Sequence, residues 1–502
     1  MRIRSMVLAL KVPPLMDSCG ASAGTGEPRA SADGPYLANG IRIFEVDSDS
    51  AVVWARLTKE AERAPFGAPM PVVRYRVPGR SELIDDPPGR QRDAEPVVEF
   101  PDGSDINTIE GACPGAPGEA RVLYRVEGAD AWSETPWMRA DASMDFIAHI
   151  PLAGLQPNAK YEIQVETRRE AGAGWGQRVS GGFKTAAPPD TPQRVVFAVS
   201  TGQAYPDLDA PGDGFKIYDQ ILKLDPSFFV HTGDIVYYDR LAKSPALARW
   251  HWQRTYSLPS NVRFHRQVAT YFIKDDHDTL VNDCWPTMQT KFMGELTWQD
   301  GLRIFREQSG MMDGVTYRTV RWGKDLQIWM VEGRDYRSAN DMPDGPDKTI
   351  WGAEQMAWFQ RTVQESDATF RILISPTPVV GPDRTNKSDN HSNKAFAHEG
   401  NLLRAFLASQ KNIYSVCGDR HWQYVSADAK TGLREYSCGP ASDQHAGGWT
   451  NDQRYPEHIY LNVIGGFLAG TVERENGKPV LTMRHYGVNG ELLHEDRREP
   501  EA

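Results

Sequence analysis

No stretch of the 502-residue chain approaches the roughly 18 uninterrupted apolar residues that a membrane-spanning helix needs, so the sequence predicts no transmembrane segment. Concentrated basic segments are also missing, and the formal net charge is −11. Both features argue against a polyanionic nucleic-acid backbone as the main partner. A substrate that carries phosphate would therefore need local positive charge or bound cations. The sequence shows no internal repeat.

Cysteine is scarce. The five cysteines are widely spaced without a CxxC motif, and they are Cys19, Cys113, Cys284, Cys417 and Cys438. Their odd number leaves at least one unpaired in a monomer, and their spacing decides neither the compartment nor any disulfide. The remaining composition is ordinary, with 40% hydrophobic and 25% charged residues, which excludes wholesale disorder and a coiled coil. At this length we expect a globular protein of two domains, or three if a long insertion folds by itself.

Residues 1–33 are predicted to be a leader that precedes the folded part. They begin with MRIRSMVLALKVPPLMDSCGASAG, which has a basic start, an apolar stretch broken by Lys11, and then small residues. This is a weak match to a signal peptide. Two interpretations stay open: a degraded or mis-started export signal, or a disordered leader.

Residues 34–185 show the pattern of a β-sandwich. The segments IRIFEVDSDSAVVWARL and AKYEIQVETRR alternate apolar and polar residues as half-buried antiparallel strands do, and GLQPNAKY supplies turn residues. Between Thr58 and Leu123 the chain is rich in proline, glycine and charge, which indicates long loops inserted into the sandwich rather than core. The proline-rich segment 186–193 is the best domain boundary.

Residues 194–502 predict a layered α/β domain. The apolar runs RVVFAVS and SFFVHTGD flank the helix-like segment FKIYDQILKL, which makes a β-α-β unit of strands buried on both faces. Further apolar runs alternate with segments of helical pattern up to NIYSVCGD. Near the end, Asn476-Gly477 and Asn489-Gly490 each separate alternating segments and predict antiparallel hairpins at a sheet edge or in a second sheet.

Nearly every apolar run of this domain ends in polar residues. They are Ser200 to Gln203, Asp234, Asp275 to Asp278, Arg334, Ser375 with Thr377, and Asp419 with His421. Taken singly, an aspartate after a strand is more often an ordinary turn former or helix cap. Because ligands bind at the carboxyl ends of the strands in an open α/β sheet, six such ends together favour one shared pocket.

Three of these residues, Asp234, Asp276 and Asp419, would repel one another if they met without a counter-ion. A bound cation resolves that conflict, and an oxygen-rich site suits Ca²⁺, Mg²⁺ or Mn²⁺. Tyr237 lies three residues beyond Asp234, and a phenolate favours Fe³⁺, although a lone tyrosine is more often a packing residue. His421 lies two residues after Asp419, so in extended chain both side chains point the same way.

The motifs FAVSTGQ, FFVHTGDIVYYD, KDDHDTLVNDCW, VEGRDYRS, ILISPTPV and VCGDRHWQ occur in this order and at this spacing. Together they resemble the alkaline phosphatase D (PhoD-like) family of the metallophosphoesterase superfamily. The resemblance extends over most of the chain beyond about residue 36. It implies a four-layer α/β sandwich of mixed sheets flanked by helices, preceded by an all-β fibronectin- or immunoglobulin-like sandwich. It also implies export to the periplasm or the extracellular space, although the weak signal peptide leaves a cytoplasmic location open.

The resemblance further implies hydrolysis of a small-molecule phosphate mono- or diester by metal-bound hydroxide at a dinuclear site. The ions would be Ca²⁺ and Fe³⁺, with Mn²⁺, Mg²⁺ and Zn²⁺ as alternatives. By position, Asp234 would bridge the ions, Tyr237 and His421 would hold the first, Asp276 and Asp419 would hold the second, His277 would protonate the leaving group, and Asn282, Arg334 and Arg337 would contact substrate. Tyr238 and Asp239 lack the family spacing and are assigned to packing and turn.

One position departs from the family, which has a cysteine ligand for the first ion in the turn after the first strand. Here that turn reads STGQ, with Gly202 and Gln203. Three outcomes are open: Gln203 or a water substitutes, the first ion is a different metal, or the first site is weak. Cys417 lies on a strand and is assigned to the core rather than to the site.

Two other functions compete with phosphomonoester or phosphodiester hydrolysis. One is hydrolysis of another ester on the same scaffold, such as a phospholipid or a sulfate ester. The other is a non-enzymatic binding module with a vestigial metal site. The polar loop 381–401 is either a substrate-contacting lid or a solvated surface loop. The sequence does not indicate an oligomeric state.

Overall fold

The computed structural model describes residues 34–312 and 314–501. The predicted leader, residues 1–33, and Cys19 within it lie outside the described residues. Within the described ranges, no helix is both long enough and apolar enough to cross a membrane. Cys113, Cys284, Cys417 and Cys438 are buried free thiols, and Cys417 lies in the core as predicted.

Ten strands precede the proline-rich segment 186–193 in the described part of the chain. They are β1 (Ile41–Phe44), β2 (Ser50–Arg56), β3 (Val72–Arg76), β4 (Glu95–Glu99), β5 (Gly118–Val126), β6 (Ser133–Glu134), β7 (Met138–Ala140), β8 (Ile147–Ala153), β9 (Lys160–Arg168) and β10 (Trp175–Lys184).

After that segment, strands and helices alternate, as the apolar runs predict. The strands are β11 (Val195–Ser200), β12 (Phe228–His231), β13 (Ala269–Phe272), β14 (Arg318–Trp322), β15 (Leu326–Met330), β16 (Phe370–Ser375), β17 (Ile413–Cys417), β18 (Gln423–Ala427), β19 (Arg434–Cys438), β20 (His458–Asn462), β21 (Phe467–Glu475), β22 (Lys478–Tyr486) and β23 (Leu492–Arg498). The helices are α1 (Ile217–Leu222), α2 (Pro245–Tyr256), α3 (Pro259–His265), α4 (Trp298–Gln308), α5 (Gly352–Glu365) and α6 (Ala397–Ala408).

Two mixed sheets form the centre of the molecule. The first has the strand order β23-β22-β21-β11-β12-β13-β1-β2-β8, and the second has the order β14-β15-β16-β17-β19-β18-β20. Strands β11, β12 and β13 run parallel, with Phe197 opposite Phe228, and these parallel strands are buried along their whole length. The hairpins at Asn476-Gly477 and Asn489-Gly490 join β21, β22 and β23 at one edge of the first sheet.

Helices cover the outer faces of both sheets. Residues between the sheets, such as Phe197 and Ile372, belong to one continuous apolar core. On the outer face of the first sheet, Phe229 packs with residues of α1 and α3, and on the outer face of the second, Leu373 packs with residues of α5 and α6. This helix-sheet-sheet-helix order confirms the predicted four-layer α/β sandwich.

The predicted all-β sandwich is present and shares a sheet with the second half of the chain. Strands β10, β9, β5 and β6 form its outer sheet, and β7 pairs with β5. Val122 and Ile163 of that sheet pack in the same core as Ile43 and Val53 of β1 and β2. Strand β1 also pairs in parallel with β13, so the nine-stranded sheet crosses the predicted boundary at 186–193. The division of the chain there, and a fibronectin topology, stay predictions.

The segment between β2 and β5 differs from the predicted inserted loops. Strands β3 and β4 pair as a two-stranded sheet, and Tyr75 on β3 is buried. The ring of Tyr75 stacks on Phe292 with ring centres 4.8 Å apart. This apolar cluster includes Trp250 of α2, so part of the insertion is core and is held against the α/β layers.

Candidate metal centre

Two strand ends and one loop supply the buried acids of the centre. Asp234 follows β12 and Asp419 follows β17, and both have left-handed backbone angles, with φ of 55° and 59°. Such φ values are uncommon outside glycine and occur often at functional sites. Gly233 has φ 103°, and a Cβ there would lie 2.5 Å from Asp275 Cβ. Glycine at 233 therefore lets the loops after β12 and β13 approach closely.

Asp234, Asp276 and His277, which we call the acid cluster, offer three ligand atoms within 4.8 Å of one another, and all three residues are buried. Asp234 Oδ1 has no hydrogen-bond partner among the described residues. Burial, reinforced by the charges of Asp276 and Asp275, raises the pKa of Asp234 well above its usual range, although the charge of His277 opposes this. A cation would offset that unfavourable burial, so the two carboxylates of the acid cluster, Asp234 and Asp276, fit a hard metal ion.

A second group, the tyrosine cluster, surrounds the hydroxyl of Tyr237. This hydroxyl lies 3.2 Å from Asp234 Oδ2, 3.4 Å from His421 Nε2 and 2.6 Å from His445 Nε2. His421 Nε2 lies 3.6 Å from Asp234 Oδ2. The structure thus brings together the three residues that the sequence assigns to the first ion. It adds His445, which belongs to none of the sequence motifs.

His277 is also held by a carboxylate outside the acid cluster. Its Nδ1 lies 3.0 Å from Asp239 Oδ1, and Asp239 Oδ2 pairs with Arg90 Nε at 2.7 Å. Burial would lower the pKa of His277, but the charges of Asp239, Asp276 and Asp234 raise it well above its usual range. Asp239 is therefore not an ordinary turn residue, whereas Tyr238 is buried and accepts a hydrogen bond from Trp252 Nε1, as expected for packing.

Asp419 lies outside the acid cluster. Its carboxylate forms an ion pair with Arg420, whose Nη1 also lies 2.9 Å from Asp383 Oδ1. The backbone N–H of Asp419 donates to Thr201 Oγ1 at 3.3 Å. Burial raises the pKa of Asp419, with Arg420 opposing the shift. The predicted third carboxylate is therefore nearby but is engaged by an arginine.

Gln203 does not reach either cluster, which corrects one predicted ligand. Its Oε1 accepts a hydrogen bond from the Tyr218 hydroxyl at 2.7 Å, and its Nε2 donates to the Tyr256 hydroxyl at 3.2 Å. The side chain is completely buried among these core hydroxyls. Its amide is thus used for folding and does not substitute for the missing cysteine.

Arg334 and Arg337 are also placed differently from the predicted substrate contacts. The Arg334 side chain is 0% exposed, its Nε donates to Asp275 Oδ1, and its Nη2 lies 3.8 Å from Asp276 Oδ1. Arg337 is buried and donates to the carbonyl of Asp389 at 2.7 Å. Arg334 thus supports the acids from inside the fold, and its charge helps to lower the pKa of Asp276 against the effect of burial.

Asn282, a predicted substrate residue, lines an open cavity. The cavity has a volume of about 430 Å³ and is also lined by Arg90, Arg92 and Trp285. The guanidinium of Arg92 lies over the Trp285 ring, 4.7 Å from its centre. Arg90 and Arg92 come from the segment between β3 and β4, so arginines of the insertion share the cavity wall with Asp283 and Asp341.

Part of the polar loop 381–401 is anchored in the site rather than solvated. Asp389, Asn390 and His391 are buried. Lys387 Nζ pairs with Asp283 Oδ1 at 2.6 Å, and the Asp283 N–H donates to Asp276 Oδ2 at 2.5 Å. This loop therefore helps to hold the loop after β13, whichever substrate the site takes.

A four-layer sandwich with buried carboxylates, histidines and a tyrosine after its parallel strands defines a metal-dependent phosphoesterase. The chain belongs to the PhoD-like phosphatase family, whose model matches residues 197–458. It is thus a phosphoric ester hydrolase. No curated protein matches the sequence.

Two solved structures are similar to this fold. The first, described as the structure of PhoD, has a TM-score of 0.68 at 16% identity and covers 95% of this chain and 90% of its own. The second is the purple acid phosphatase PPD1 from yellow lupin (Lupinus luteus) seeds, with a TM-score of 0.60 at 11% identity, covering 91% of this chain and 74% of its own. At these identities the likeness shows the fold alone.

Proposed function

We propose that this protein hydrolyses small-molecule phosphate mono- or diesters at a dinuclear metal site, in which Asp234 bridges the two ions. The tyrosine cluster would hold the first ion. Asp276, with Asp419 after release from Arg420, would hold the second. Family membership supports metal-dependent phosphoester hydrolysis, and the count of two ions is our inference.

The two oxygens of Asp234 carry the proposal. Oδ2 lies beside the Tyr237 hydroxyl and His421 Nε2, whereas Oδ1 is buried and has no hydrogen-bond partner among the described residues. Asp276 and His277 each offer a ligand atom within 4.8 Å of one on Asp234. A carboxylate engaged through one oxygen and unsatisfied at the other is suited to a position between two cations, because burial penalises an uncompensated charge.

His277 is proposed as the proton donor to the leaving group. Its Nδ1–H donates to Asp239 Oδ1, so Nε2 is the nitrogen left to hold a second proton. When the ester P–O bond breaks and water supplies the new oxygen on phosphorus, that proton passes to the departing oxygen. Metal ions bound here would lower the pKa of the attacking water and offset charge on the phosphoryl oxygens.

We propose Fe³⁺ at the tyrosine cluster and Ca²⁺ at the carboxylates. A phenolate ligand favours a small and highly charged ion, whereas a set of carboxylate oxygens suits Ca²⁺. Mn²⁺, Mg²⁺ and Zn²⁺ are the alternatives that an elemental analysis would separate. Export, which rests on family resemblance, stays a prediction.

The test is elemental analysis of protein purified without chelators, beside an Asp234→Asn variant. Two ions per chain are expected in the wild type, with loss of both metal and turnover in the variant. Asp102, an exposed aspartate, provides a matched control, and Asp102→Asn should keep both ions. A wild type with full turnover and fewer than two ions would remove the dinuclear proposal.

Substrate class is tested with matched esters of one leaving group. Arg90 and Arg92 line the cavity together with Asp283 and Asp341, so its charge does not select among phosphomonoesters, phosphodiesters, phospholipid head groups and sulfate esters. Family membership supports phosphate esters. We expect turnover of phosphate esters to exceed that of the sulfate ester. Faster sulfate ester hydrolysis would overturn the proposed substrate class but not the metal site.

A further inference from the structure

His445 occupies a position in the tyrosine cluster that the sequence motifs do not explain. It ends a short 3-10 turn, Asp443–His445, in the segment after β19. Its Nε2 lies 2.6 Å from the Tyr237 hydroxyl, and its ring centre lies 4.1 Å from that of His421. His421 and His445, from two different loops, thus converge on the Tyr237 hydroxyl, which itself lies 3.2 Å from Asp234 Oδ2.

The ring of His445 also fills the space next to Gly202. A Cβ built at Gly202 would lie 3.1 Å from His445 Cδ2, 3.4 Å from His445 Nε2 and 3.3 Å from the Tyr237 hydroxyl oxygen. Gly202 is the position in the STGQ turn that cannot provide a side-chain ligand. The imidazole therefore stands where a side chain from that turn would enter the cluster.

We propose that His445 is a ligand of the first metal ion, through Nε2, and that it completes the site that Gly202 leaves without a side chain. This inference rests on the proposed function, since it concerns one of the two ions proposed there. The donor set would be one carboxylate, one phenol oxygen and two imidazoles, with no sulfur.

The distances within the tyrosine cluster agree with a shared ion. The measured separations run from 2.6 Å between Tyr237 and His445 to 3.6 Å between His421 and Asp234. Nitrogen and oxygen ligands lie about 2.0–2.2 Å from a transition metal, so neighbouring ligands of one ion stand roughly 2.8–3.6 Å apart. Three of the four separations fall within that span, and the fourth requires a movement of about 0.2 Å.

The other ring nitrogen of His445 is held as in metal-binding histidines. Its Nδ1 lies 2.7 Å from Asp207 Oδ2, in the 3-10 turn Tyr205–Asp207 that follows the STGQ segment. A ligating histidine usually donates its second N–H to a carboxylate, which fixes the tautomer and the ring orientation. With the proton on Nδ1, the lone pair of Nε2 faces the Tyr237 hydroxyl.

The segments that carry Gly202, Asp207 and His445 lie next to one another. Asp207 comes five residues after Gly202, and the Ala441 N–H donates to the carbonyl of Gly202 at 3.0 Å. The turn that lost the side-chain ligand is therefore hydrogen-bonded to the segment that carries His445. The two segments can supply a ligand and its supporting carboxylate without any change in the sheets.

The experiment measures metal content of the full-length holoprotein for His445→Ala and Asp207→Asn. We expect about one ion fewer per chain in His445→Ala, and a 10- to 100-fold weaker affinity for one ion in Asp207→Asn. If the first ion is iron, the visible phenolate-to-iron absorption band should also be lost or shifted. His494, a half-buried histidine on β23, provides the control, and His494→Ala should keep both ions.

Two outcomes separate this inference from the proposed function. A wild type that holds two ions, together with a folded His445→Ala that also holds two at wild-type affinity, would overturn the role of His445 alone. A wild type with fewer than two ions would instead remove the dinuclear site. If His445→Ala does not fold, Asp207→Asn decides, and unchanged affinity for both ions in that variant would count against a metal-bound His445.

Discussion

A single methyl group at Gly202 should weaken both the metal site and the fold. Gly202 has φ of 52°, a left-handed conformation that costs an alanine about 1–2 kcal/mol. The added carbon would also lie 3.1 Å from His445 Cδ2, whereas carbon atoms in favourable contact lie about 3.5–4.0 Å apart. The ring of His445 must therefore shift by several tenths of an ångström from its position in the tyrosine cluster.

The control for Gly202→Ala is Gly212→Ala. Gly212 has φ of 76°, and a Cβ there would meet no atom within 4 Å. Both variants therefore lose stability because alanine is strained in the left-handed conformation, but only Gly202→Ala displaces a side chain of the tyrosine cluster. The difference between the two variants isolates the contact with His445.

Two assays are needed, because stability and metal binding should respond differently. Denaturant titration of the metal-free proteins should show losses of about 1–2 kcal/mol in the free energy of unfolding for both variants, with a further loss at Gly202. Competition with a metal buffer should show a loss of about 10- to 100-fold in affinity for one ion in Gly202→Ala alone. Wild-type affinity for both ions in a folded Gly202→Ala would refute the reasoning.

Three further predictions concern the proton donor, its support and stability in acid. His277→Ala should lower kcat by about 10²- to 10⁴-fold for esters with poor leaving groups and much less for p-nitrophenyl esters, and equal losses for both would contradict a role as proton donor. Asp239→Asn should lower kcat for the poor leaving groups while both ions stay bound, whereas a loss of metal would assign Asp239 to the site itself. His149, whose Nε2 contacts the carbonyl of Ser309 at 2.7 Å, is buried, and burial lowers its pKa to about 4 from the usual 6.5. As pH falls, His149 of the unfolded chain takes up a proton before His149 of the folded chain does. The free energy of unfolding should therefore decrease by roughly 3 kcal/mol between pH 6.5 and pH 4. Denaturant titrations of metal-free wild type and His149→Gln across that range should converge, and parallel curves would contradict the shift.

Local sequence order is enough to find the residues that follow strands. Asp234, Asp276 and Tyr237 lie within a few residues of apolar runs, and parallel strands bring their carboxyl ends to one edge. Once the runs are assigned to one sheet, the meeting of Asp234 with Asp276 follows from topology. The four-layer fold could be predicted for the same reason, because continuous apolar runs and helix-like segments alternate along the second half of the chain.

Residues that act through a distant loop could not be found in this way. Asp239 follows Tyr237 by two residues, but its role depends on His277 from the loop after β13 and on Arg90 from the insertion. His445 lies in a segment of glycine and polar residues without periodicity. His445 comes next to Tyr237 only when the loop after β19 folds against the STGQ turn, which the sequence pattern does not indicate.

The sequence also does not determine the direction in which a side chain after a strand points. Arg334 and Gln203 both lie after strands, where a ligand or substrate contact is expected. Arg334 instead turns inward to Asp275, and Gln203 turns to the hydroxyl of Tyr218. Sequence position gives the place of the Cα atom, whereas the choice between pocket and interior depends on which buried partners need hydrogen bonds.

The insertion between β2 and β5 links the sandwich to catalysis through one chain of contacts. Tyr75 stacks on Phe292 and fixes β3 against the α/β layers, and Arg90, between β3 and β4, reaches Asp239. Asp239 in turn orients His277. Because the Arg90 guanidinium pairs with the buried Asp239 carboxylate, its loss would leave that charge uncompensated and strengthen the attraction of Asp239 for the Nδ1–H of His277. The N-terminal part of the chain thus contacts the proposed proton donor through Arg90 and Asp239, and it also joins the α/β layers through the pairing of β1 with β13.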